Sequence, residues 1–358
     1  MTQIMLTPTT QDEVREAVLA LPKVRVRGGG TKTALSAGAT LSLAGLHGIL
    51  EYEPGEFTFT ALAGTPLATV RDALAANGQY LPFDPLWTQS GATLGGTVAA
   101  GLSGPGRFQY GGVRDFLLGV RIVTGEGRLV RGGGKVVKNA AGFDIPKLLV
   151  GSLGRLGAIT EVSFKVFPAP AATASICANF ARLEDAISML QRLAGSRLAL
   201  AALELVPPTK LCLRLGGLRD ALPGRIQRVR EFLGTTPGMD VIEDDASLWQ
   251  SIAEFAWSPA DHALVKLPTL PGQIAHLESL LQAHEIAIPR RYSVGGNVAW
   301  LAWPPTIDRK LLEEAAAQLK RPILVVRDTA FATLPAATGN RPLLLKLQNV
   351  FDPQRKFS

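Results

Sequence analysis

Residues 24–32 read Val24-Arg25-Val26-Arg27-Gly28-Gly29-Gly30-Thr31-Lys32. The alternation of apolar and basic residues predicts a short strand over 24–27 that runs directly into three glycines. Because glycine has no Cβ, successive backbone N–H groups of such a run can turn toward one point and bind an anion. Two common phosphate motifs are absent, since no GxGxxG opens a helix and no Ser or Thr completes a GxxxxGK[ST] loop. The stretch therefore indicates an anion-binding backbone loop of another kind.

A second run of small residues covers positions 85–101. It reads Pro85-Leu86-Trp87-Thr88-Gln89-Ser90-Gly91-Ala92-Thr93-Leu94-Gly95-Gly96-Thr97-Val98-Ala99-Ala100-Gly101. We expect a loop followed by a short helix whose amino end carries Thr93, Gly95 and Gly96, so that free N–H groups and hydroxyls face outward together. Close helix packing on small residues explains the same pattern. This run alone leaves both interpretations open.

Apolar periodicity around these runs predicts two domains and a tail. Residues 1–170 begin with a helix over 10–21, capped by Thr10 with Glu13, and continue with a hairpin over 116–131 and a strand over 158–167. Pro168-Ala169-Pro170 marks the boundary. Residues 171–334 repeat a strand–helix–strand–strand–helix rhythm, which is typical of an antiparallel sheet covered by helices. The apolar segment 335–358 is expected to pack back on the first domain.

The composition is that of a globular protein, with 47% hydrophobic and 19% charged residues. The net charge is +7, but the lysines and arginines are scattered along the chain and do not form a basic cluster, which argues against nucleic-acid binding. No run of eighteen uncharged apolar residues and no apolar leader region occur, so the sequence predicts a cytoplasmic chain without a transmembrane segment.

Cysteine and histidine spacing gives no metal motif. Cys177 and Cys212 lie in apolar runs without CxxC spacing, so we predict buried free thiols in a reducing compartment. No HxH or HExxH pattern is present, and no structural metal is therefore predicted. The four histidines are His47, His262, His276 and His284.

Five motifs in order resemble the FAD-binding domain of the vanillyl-alcohol-oxidase and p-cresol-methylhydroxylase superfamily. They are RGGGTK at 27–32, ATLGG at 92–96, Tyr110-Gly111 with Arg114-Asp115, KNAAGFD at 138–144 and GSLGRLGAITE at 151–161. The resemblance spans residues 8–170. It implies an α+β fold, in which a two-subdomain PCMH-type FAD-binding domain is followed by an α+β cap domain with an antiparallel sheet.

The same resemblance implies the residues that bind FAD. The backbone of Gly28, Gly29, Gly30 and Thr31 would take the pyrophosphate, with Arg27 and Lys32 beside it. The rest of the cofactor would be lined by Pro85, Gly91, Thr93, Leu94, Gly95, Gly96, Gly101 and Gly104, and its adenine end by Gly157, Ala158 and Ile159. Relatives that tether FAD carry His after the glycines or Cys in the second loop. This chain has Lys32 and no cysteine in its first domain, so non-covalent FAD is predicted.

Two further runs are similar to the flavin subunits of glycolate oxidase complexes. They are Lys135-Val136-Val137-Lys138-Asn139 and Phe351-Asp352-Pro353. This narrower resemblance implies a larger FAD-binding subunit and an iron–sulfur subunit as partners, and a location in the cytoplasm or at the inner membrane through those partners. The relatives' tail continues with Asn-Pro-Gly, whereas this sequence reaches Ser358 without it, so the closing contacts of the tail are expected to differ.

The resemblance to glycolate oxidase subunits implies a small 2-hydroxy acid as substrate. Oxidation of such a substrate requires a cation for its carboxylate and a base for its hydroxyl proton. The candidate cations are Arg114, Lys138, Arg290 and Arg291. No histidine stands in a pattern that predicts a base. This gap favours a subunit of a complex over two alternatives, which are a self-sufficient FAD-dependent D-2-hydroxy acid dehydrogenase and a non-catalytic FAD-bearing scaffold.

Overall fold

The computed structural model describes residues 5–134, 144–234, 238–328 and 341–357. Lys138 and the run 135–143 therefore lie outside the described residues. The chain divides into two compact units. Unit 1 draws on Met1–Ser103, Gly111–Ala169 and Phe331–Ser358, and unit 2 on Gly104–Tyr110 and Pro170–Ala330. The short segment 104–110 thus leaves the surrounding chain and belongs to unit 2.

The secondary structure alternates throughout both units. The helices are α1 (Gln11–Ala20), α2 (Leu67–Ala75), α3 (Leu94–Ala100), α4 (Arg107–Tyr110), α5 (Val113–Phe116), α6 (Ile145–Leu149), α7 (Leu183–Ala194), α8 (Leu222–Leu233), α9 (Ala246–Ala253), α10 (Ile274–Ala283), α11 (Arg309–Gln318) and α12 (Arg341–Phe351). The strands are β1 (Val26–Arg27), β2 (Leu41–Ser42), β3 (Ile49–Glu53), β4 (Thr58–Leu62), β5 (Gln79–Tyr80), β6 (Leu117–Val123), β7 (Leu129–Gly133), β8 (Ala158–Lys165), β9 (Phe167–Pro168), β10 (Ala172–Asn179), β11 (Ala202–Val206), β12 (Lys210–Gly217), β13 (Met239–Glu243), β14 (Ala263–Pro268), β15 (Arg290–Ser293), β16 (Val298–Trp303) and β17 (Leu324–Arg327).

Unit 1 places the glycine run at the end of a strand, as predicted. Strand β1 pairs in parallel with β2, and the run follows directly. Beside this pair lies an antiparallel sheet of order β3-β4-β8-β6-β7. Helix α1 packs Val14 and Val18 into the core between them, and its amino end is capped by Thr10, whose hydroxyl accepts from the N–H of Glu13.

The carboxyl-terminal residues pack onto unit 1. The N–H of Val24 donates to the carbonyl of Lys356 at 2.8 Å, and Phe357 is buried beside α1. Asp352 is fully buried, and its carboxylate accepts from the backbone N–H groups of Lys356 and Phe357 at 2.8 Å each. These charge-assisted bonds fix the turn that follows α12.

Unit 2 is built on an eight-stranded sheet of order β13-β10-β12-β11-β15-β16-β14-β17. Its neighbouring strands pair antiparallel. One face carries alternate apolar residues, such as Leu203, Leu213 and Val265, which form one core with helices α7, α8, α10 and α11. The opposite face carries polar residues, including Arg214, Glu204 and Lys266.

The prediction of free thiols was wrong. Cys177 and Cys212 form a disulfide, and their Cα atoms are 4.2 Å apart. The two residues are directly opposite in the register of β10 and β12. Sequence spacing could not show this, because only the pairing of the two strands brings residues 35 positions apart together.

No described helix combines the length and the apolar character required to cross a bilayer. No group of three or more His, Cys, Asp or Glu side chains in the described ranges could hold a metal ion.

Candidate functional site

The glycine run opens onto a cleft whose lining residues all belong to unit 1. Predicted cofactor residues form a large part of its wall. These are Arg27, Gly28, Gly29, Gly30, Thr31, Lys32, Thr93, Gly95, Gly96, Gly157 and Ile159. The structure therefore brings the first glycine run, the second run and the start of β8 to one place.

The backbone of the glycine run is free to bind a ligand. Within the described chain, the N–H groups of Gly29, Gly30 and Thr31 donate to no protein acceptor. Gly30 has a φ of +74°, a left-handed conformation that favours glycine, and the Arg27 guanidinium packs against its Cα. Unpaired N–H groups beside a guanidinium form a site for an anion.

The amino end of α3 differs from the prediction. Its N–H groups are not free, because Leu94 donates to the Thr65 carbonyl at 3.1 Å and Gly95 to the Ala63 carbonyl at 2.8 Å. Gly96 donates to the Thr93 hydroxyl at 3.3 Å. The helix terminus is therefore satisfied within the protein. Residues of the second run line the cleft, but the N–H groups at the start of α3 do not serve as donors to a ligand.

Several predicted cofactor residues lie outside the cleft wall. Gly91 supports the glycine run from behind, since a Cβ on Gly29 would lie 2.9 Å from the Gly91 carbonyl carbon. Gly101 ends α3 in a left-handed conformation. Ala158 points into the core of unit 1, because alternate strand residues face opposite sides. Pro85 and Leu94 are also absent from the wall, and Gly104 belongs to unit 2.

The sequence patterns did not predict a second, mostly apolar group of wall residues. The additional lining residues are Val26, Leu35, Ser36, Leu43, Ala63, Ala99, Ala100, Leu153 and Gly154. In a sequence, such residues are indistinguishable from ordinary core residues. Ala99 and Ala100 lie one helical turn after Gly96 and therefore on the same face of α3. This spacing could have predicted that they line the cleft.

Lys32 is the buried cation of the cleft. Only 8% of the residue is exposed, and its ammonium lies 5.0 Å from the centre of the Trp87 ring. It donates to the Thr31 hydroxyl at 3.3 Å and has no carboxylate partner in the described chain. Burial lowers the pKa of Lys32 to about 8. An anion in the cleft would relieve this cost of desolvation.

Two of the predicted substrate cations are already ion-paired within unit 2. Arg290 forms an ion pair with Glu278, and Arg291 forms one with the fully buried Glu204 at 3.3 Å. Arg114 is exposed on α5 in unit 1. The two arginines of β15 are thus engaged by carboxylates of their own unit.

The shape and chemistry of the cleft fit a dinucleotide. Free backbone N–H groups with Arg27 and Lys32 suit a pyrophosphate, whereas the wall of Leu35, Leu43 and Leu153 suits flat apolar rings. These groups can hold a dinucleotide without a protein-bound metal ion.

Comparison with known proteins agrees with this geometry. A family model described as an FAD binding domain matches residues 2–133. The glycolate oxidase subunit GlcE of Escherichia coli is 35% identical to the chain, and the match covers 97% of this chain and 96% of that protein. D-lactate dehydrogenase of Anaerostipes hadrus is 31% identical to the chain in the matched region. The match covers 56% of this chain and 44% of that enzyme.

A solved structure of alkyldihydroxyacetonephosphate synthase shares the fold. Its TM-score is 0.72 at 17% sequence identity, and the match covers 99% of this chain and 76% of that one. The predicted α+β PCMH-type fold is therefore confirmed, and FAD is the cofactor. By its match to GlcE over nearly the whole length of both proteins, the chain belongs to the glycolate oxidase GlcE family of FAD-binding oxidoreductase subunits.

Proposed function

We propose that this chain is the FAD-bearing subunit of a complex that oxidises glycolate to glyoxylate. The observation that supports it most strongly is the match to GlcE across 96% of that protein, which is itself a subunit of glycolate oxidase. The free N–H groups of the glycine run and the apolar cleft supply a matching cofactor site.

The residues of the cleft would hold and orient the cofactor. Gly29, Gly30 and Thr31 would donate their N–H groups to the pyrophosphate, and Lys32 would add a charge that Trp87 holds in place. Bound FAD supplies the hydride acceptor for oxidation of an alcohol carbon. The protein contributes binding, orientation and charge.

The partners that we propose are a larger FAD-binding subunit and an iron–sulfur subunit. Ion pairing of Arg290 and Arg291 with Glu278 and Glu204 supports a division of labour, because neither guanidinium is free to hold a substrate carboxylate. We expect the isolated chain to show no glycolate-dependent dye reduction, and activity to appear on co-expression with both partners. Equal specific activity with and without partners would contradict this proposal.

A self-sufficient D-2-hydroxy acid dehydrogenase is the second candidate, favoured by the match to D-lactate dehydrogenase. Activity of the purified single chain with D-lactate distinguishes it from the first proposal. A non-catalytic scaffold would instead leave its flavin oxidised in the full complex with substrate present.

We predict that the FAD is bound without a covalent bond. The cleft residues that follow the glycine run are Thr31 and Lys32, and both cysteines are joined in a disulfide in unit 2. Acid precipitation should therefore release all of the yellow colour into the supernatant. Flavin that stays in the washed pellet would contradict the prediction.

FAD affinity should fall at alkaline pH because of Lys32. Its pKa is about 8 in the cofactor-free cleft, and a bound pyrophosphate favours the protonated form, so FAD binding takes up a proton above pH 8. The FAD Kd should rise by up to roughly tenfold per pH unit above pH 8 and stay level below it. Fluorescence titration between pH 7 and pH 9 measures this.

Lys32→Met should remove this pH dependence and weaken binding at pH 7 by roughly tenfold or more. Cofactor-free Lys32→Met should be more stable than wild type below pH 8, since a buried, unpaired charge has been removed. Lys346→Met, exposed on α12, is the matched control and should behave as wild type. A wild-type Kd that is constant from pH 7 to pH 9 would show that Lys32 does not face the cofactor.

A further inference from the structure

The carboxyl-terminal helix α12 carries more exposed apolar surface than its packing on unit 1 explains. Leu344 and Leu347 are half-buried and Phe351 is buried, and their spacing of three and four residues places them on one face. Leu343 and Val350, seven residues apart, lie on a second face, and they are 52% and 70% exposed. A helix that packs on one side normally carries polar residues on the other. The second apolar face therefore indicates a further packing partner.

Helix α1 of the same unit shows the usual arrangement. It buries Val14 and Val18, and its exposed positions include Asp12, Arg15 and Glu16. Scattered exposed apolar residues are common on protein surfaces, but the two on α12 share one helical face. The exposed apolar face is thus a feature of α12 itself.

Two cations accompany the exposed face of α12. Lys346 is exposed, and it follows Leu343 by three residues and precedes Val350 by four, so all three lie on this face. Beyond the helix, the Arg355 guanidinium donates at 2.6 and 2.7 Å to two side-chain amide oxygens in the last turn of α12. These bonds hold the guanidinium against the end of the helix.

Two further cations lie beside Arg355. The Lys23 ammonium donates to the Arg355 carbonyl at 2.6 Å. The Lys356 ammonium donates to the carbonyls of Val18 and Leu19, at 2.8 and 3.0 Å, at the carboxyl end of α1. None of these acceptors is a carboxylate, so the cations are fixed in position without being neutralised. We call the exposed face of α12 with these cations the tail surface, which comprises Lys23, Leu343, Lys346, Val350, Arg355 and Lys356.

The described chain supplies no counter-charge for the tail surface. Within the described ranges, no ion pair involves Lys23, Lys346, Arg355 or Lys356. Asp352 is the only acidic residue of the sequence 341–358, and its buried carboxylate accepts from backbone N–H groups. The residues outside the described ranges include no Asp or Glu. A counter-charge would therefore come from another molecule.

We propose that the tail surface docks an amphipathic helix of a partner subunit, in which Asp or Glu residues border the apolar face. Leu343 and Val350 would pack against the apolar side chains of that helix, and its carboxylates would pair with the four cations. The inference rests on the proposed function, because it takes the partner to be another subunit of the same complex.

Charge and geometry favour this partner over two other occupants. A second copy of the chain would bring a second set of unpaired cations, and these would repel the first. An anionic membrane also attracts basic helices, but its headgroups are mobile. Fixed cations such as Arg355 and Lys356 instead match carboxylates that are fixed on a folded partner.

Biolayer interferometry with the immobilised, FAD-loaded chain measures the apparent Kd for the larger flavin subunit and the iron–sulfur subunit. Val350→Glu should raise this Kd by at least about tenfold, because it removes an apolar contact and repels the partner's carboxylates. Leu218→Glu is the matched control, since Leu218 is 73% exposed in unit 2, and it should leave the Kd unchanged. Both variants should keep the flavin content and Tm of the wild type, because both side chains are exposed.

Carbodiimide cross-linking of the complex tests the charge contacts. The reagent joins a lysine amine to a carboxylate that touches it, and mass spectrometry should find Lys23 or Lys346 joined to an Asp or Glu of a partner subunit. Lys310, exposed on α11, is the comparison and should form no link to a partner subunit.

A raised Kd in Val350→Glu together with these cross-links supports the docking surface. An unchanged Kd in Val350→Glu, partner cross-links that avoid both lysines, or absence of binding by the wild type overturns it. Flotation with phosphatidylglycerol vesicles or self-association that Val350→Glu abolishes, while the partner Kd stays unchanged, would assign the surface to a membrane or to a second copy.

The docking surface and the proposed function fail in different ways. Glycolate oxidation by a complex that Val350→Glu does not weaken would refute the docking surface alone. Docking through the tail surface in a complex that is inactive on glycolate would refute the proposed function alone.

Discussion

Gly96→Val is expected to abolish FAD binding while the protein keeps its fold. Gly96 lines the cleft, and a Cβ added there would meet only the Thr93 hydroxyl at 3.0 Å, so the added methyl groups occupy cofactor space rather than protein space. Valine is no worse than glycine in a helix, and the stability of the cofactor-free protein should stay within about 1 kcal/mol of wild type.

The expected rise in FAD Kd is at least about a hundredfold, which corresponds to roughly 3 kcal/mol of lost binding energy. Fluorescence titration with FAD and thermal unfolding of the cofactor-free protein measure the two effects separately. Gly96→Ala is a graded control and should give a smaller loss of affinity. Full flavin occupancy in Gly96→Val would place the cofactor elsewhere.

Gly29→Ala is expected to destabilise unit 1 itself and not merely to weaken FAD binding. A Cβ at this position would lie 2.9 Å from the Gly91 carbonyl carbon and overlap its oxygen, and both atoms belong to the backbone. Such overlap cannot be relieved by a change of rotamer and should cost more than about 3 kcal/mol.

Thermal unfolding of the cofactor-free variant should therefore show a drop in Tm of roughly 10 °C. Gly78→Ala is a useful comparison, because Gly78 has positive φ but a Cβ there meets nothing within 4 Å. Its loss should be limited to about 1 kcal/mol of backbone strain. If Gly29→Ala melts like wild type and loses only FAD, the close contact between the two glycine-containing loops is incorrect.

Gly96→Val and Gly29→Ala test two different reasons for a glycine, which are space for the cofactor and space for neighbouring protein atoms. From the motif alone, Gly29 and Gly95 are expected to be glycine so that the pyrophosphate can approach. In the structure, a Cβ on Gly95 would lie 2.6 Å from the Ala63 side chain, so protein packing already requires glycine at both positions. At Gly96, the cofactor rather than the protein backbone limits the size of the side chain.

Local patterns were sufficient to predict most elements of secondary structure. The hairpin around Gly125-Glu126-Gly127 forms as β6 and β7, and the Thr10 cap starts α1. These features depend on neighbouring residues, and the sequence shows them directly. Alternation of apolar residues likewise located the strands of unit 2.

Features that depend on distant residues could not be predicted in this way. The N–H groups at the start of α3 are satisfied by Ala63 and Thr65, which precede the helix by about thirty residues, so they were expected to be free. The disulfide likewise requires the register of two strands that are distant in sequence. None of these is a property of a short motif.

The most direct test of the proposed function is anaerobic titration of the FAD-loaded chain with glycolate, followed at the flavin absorbance band at about 450 nm. The same titration is repeated on the complex reconstituted with the larger flavin subunit and the iron–sulfur subunit, with the flavin of the larger subunit measured separately. We expect the isolated chain to keep its flavin oxidised and the complex to bleach it. Rapid bleaching of the isolated chain by glycolate would contradict the subunit account.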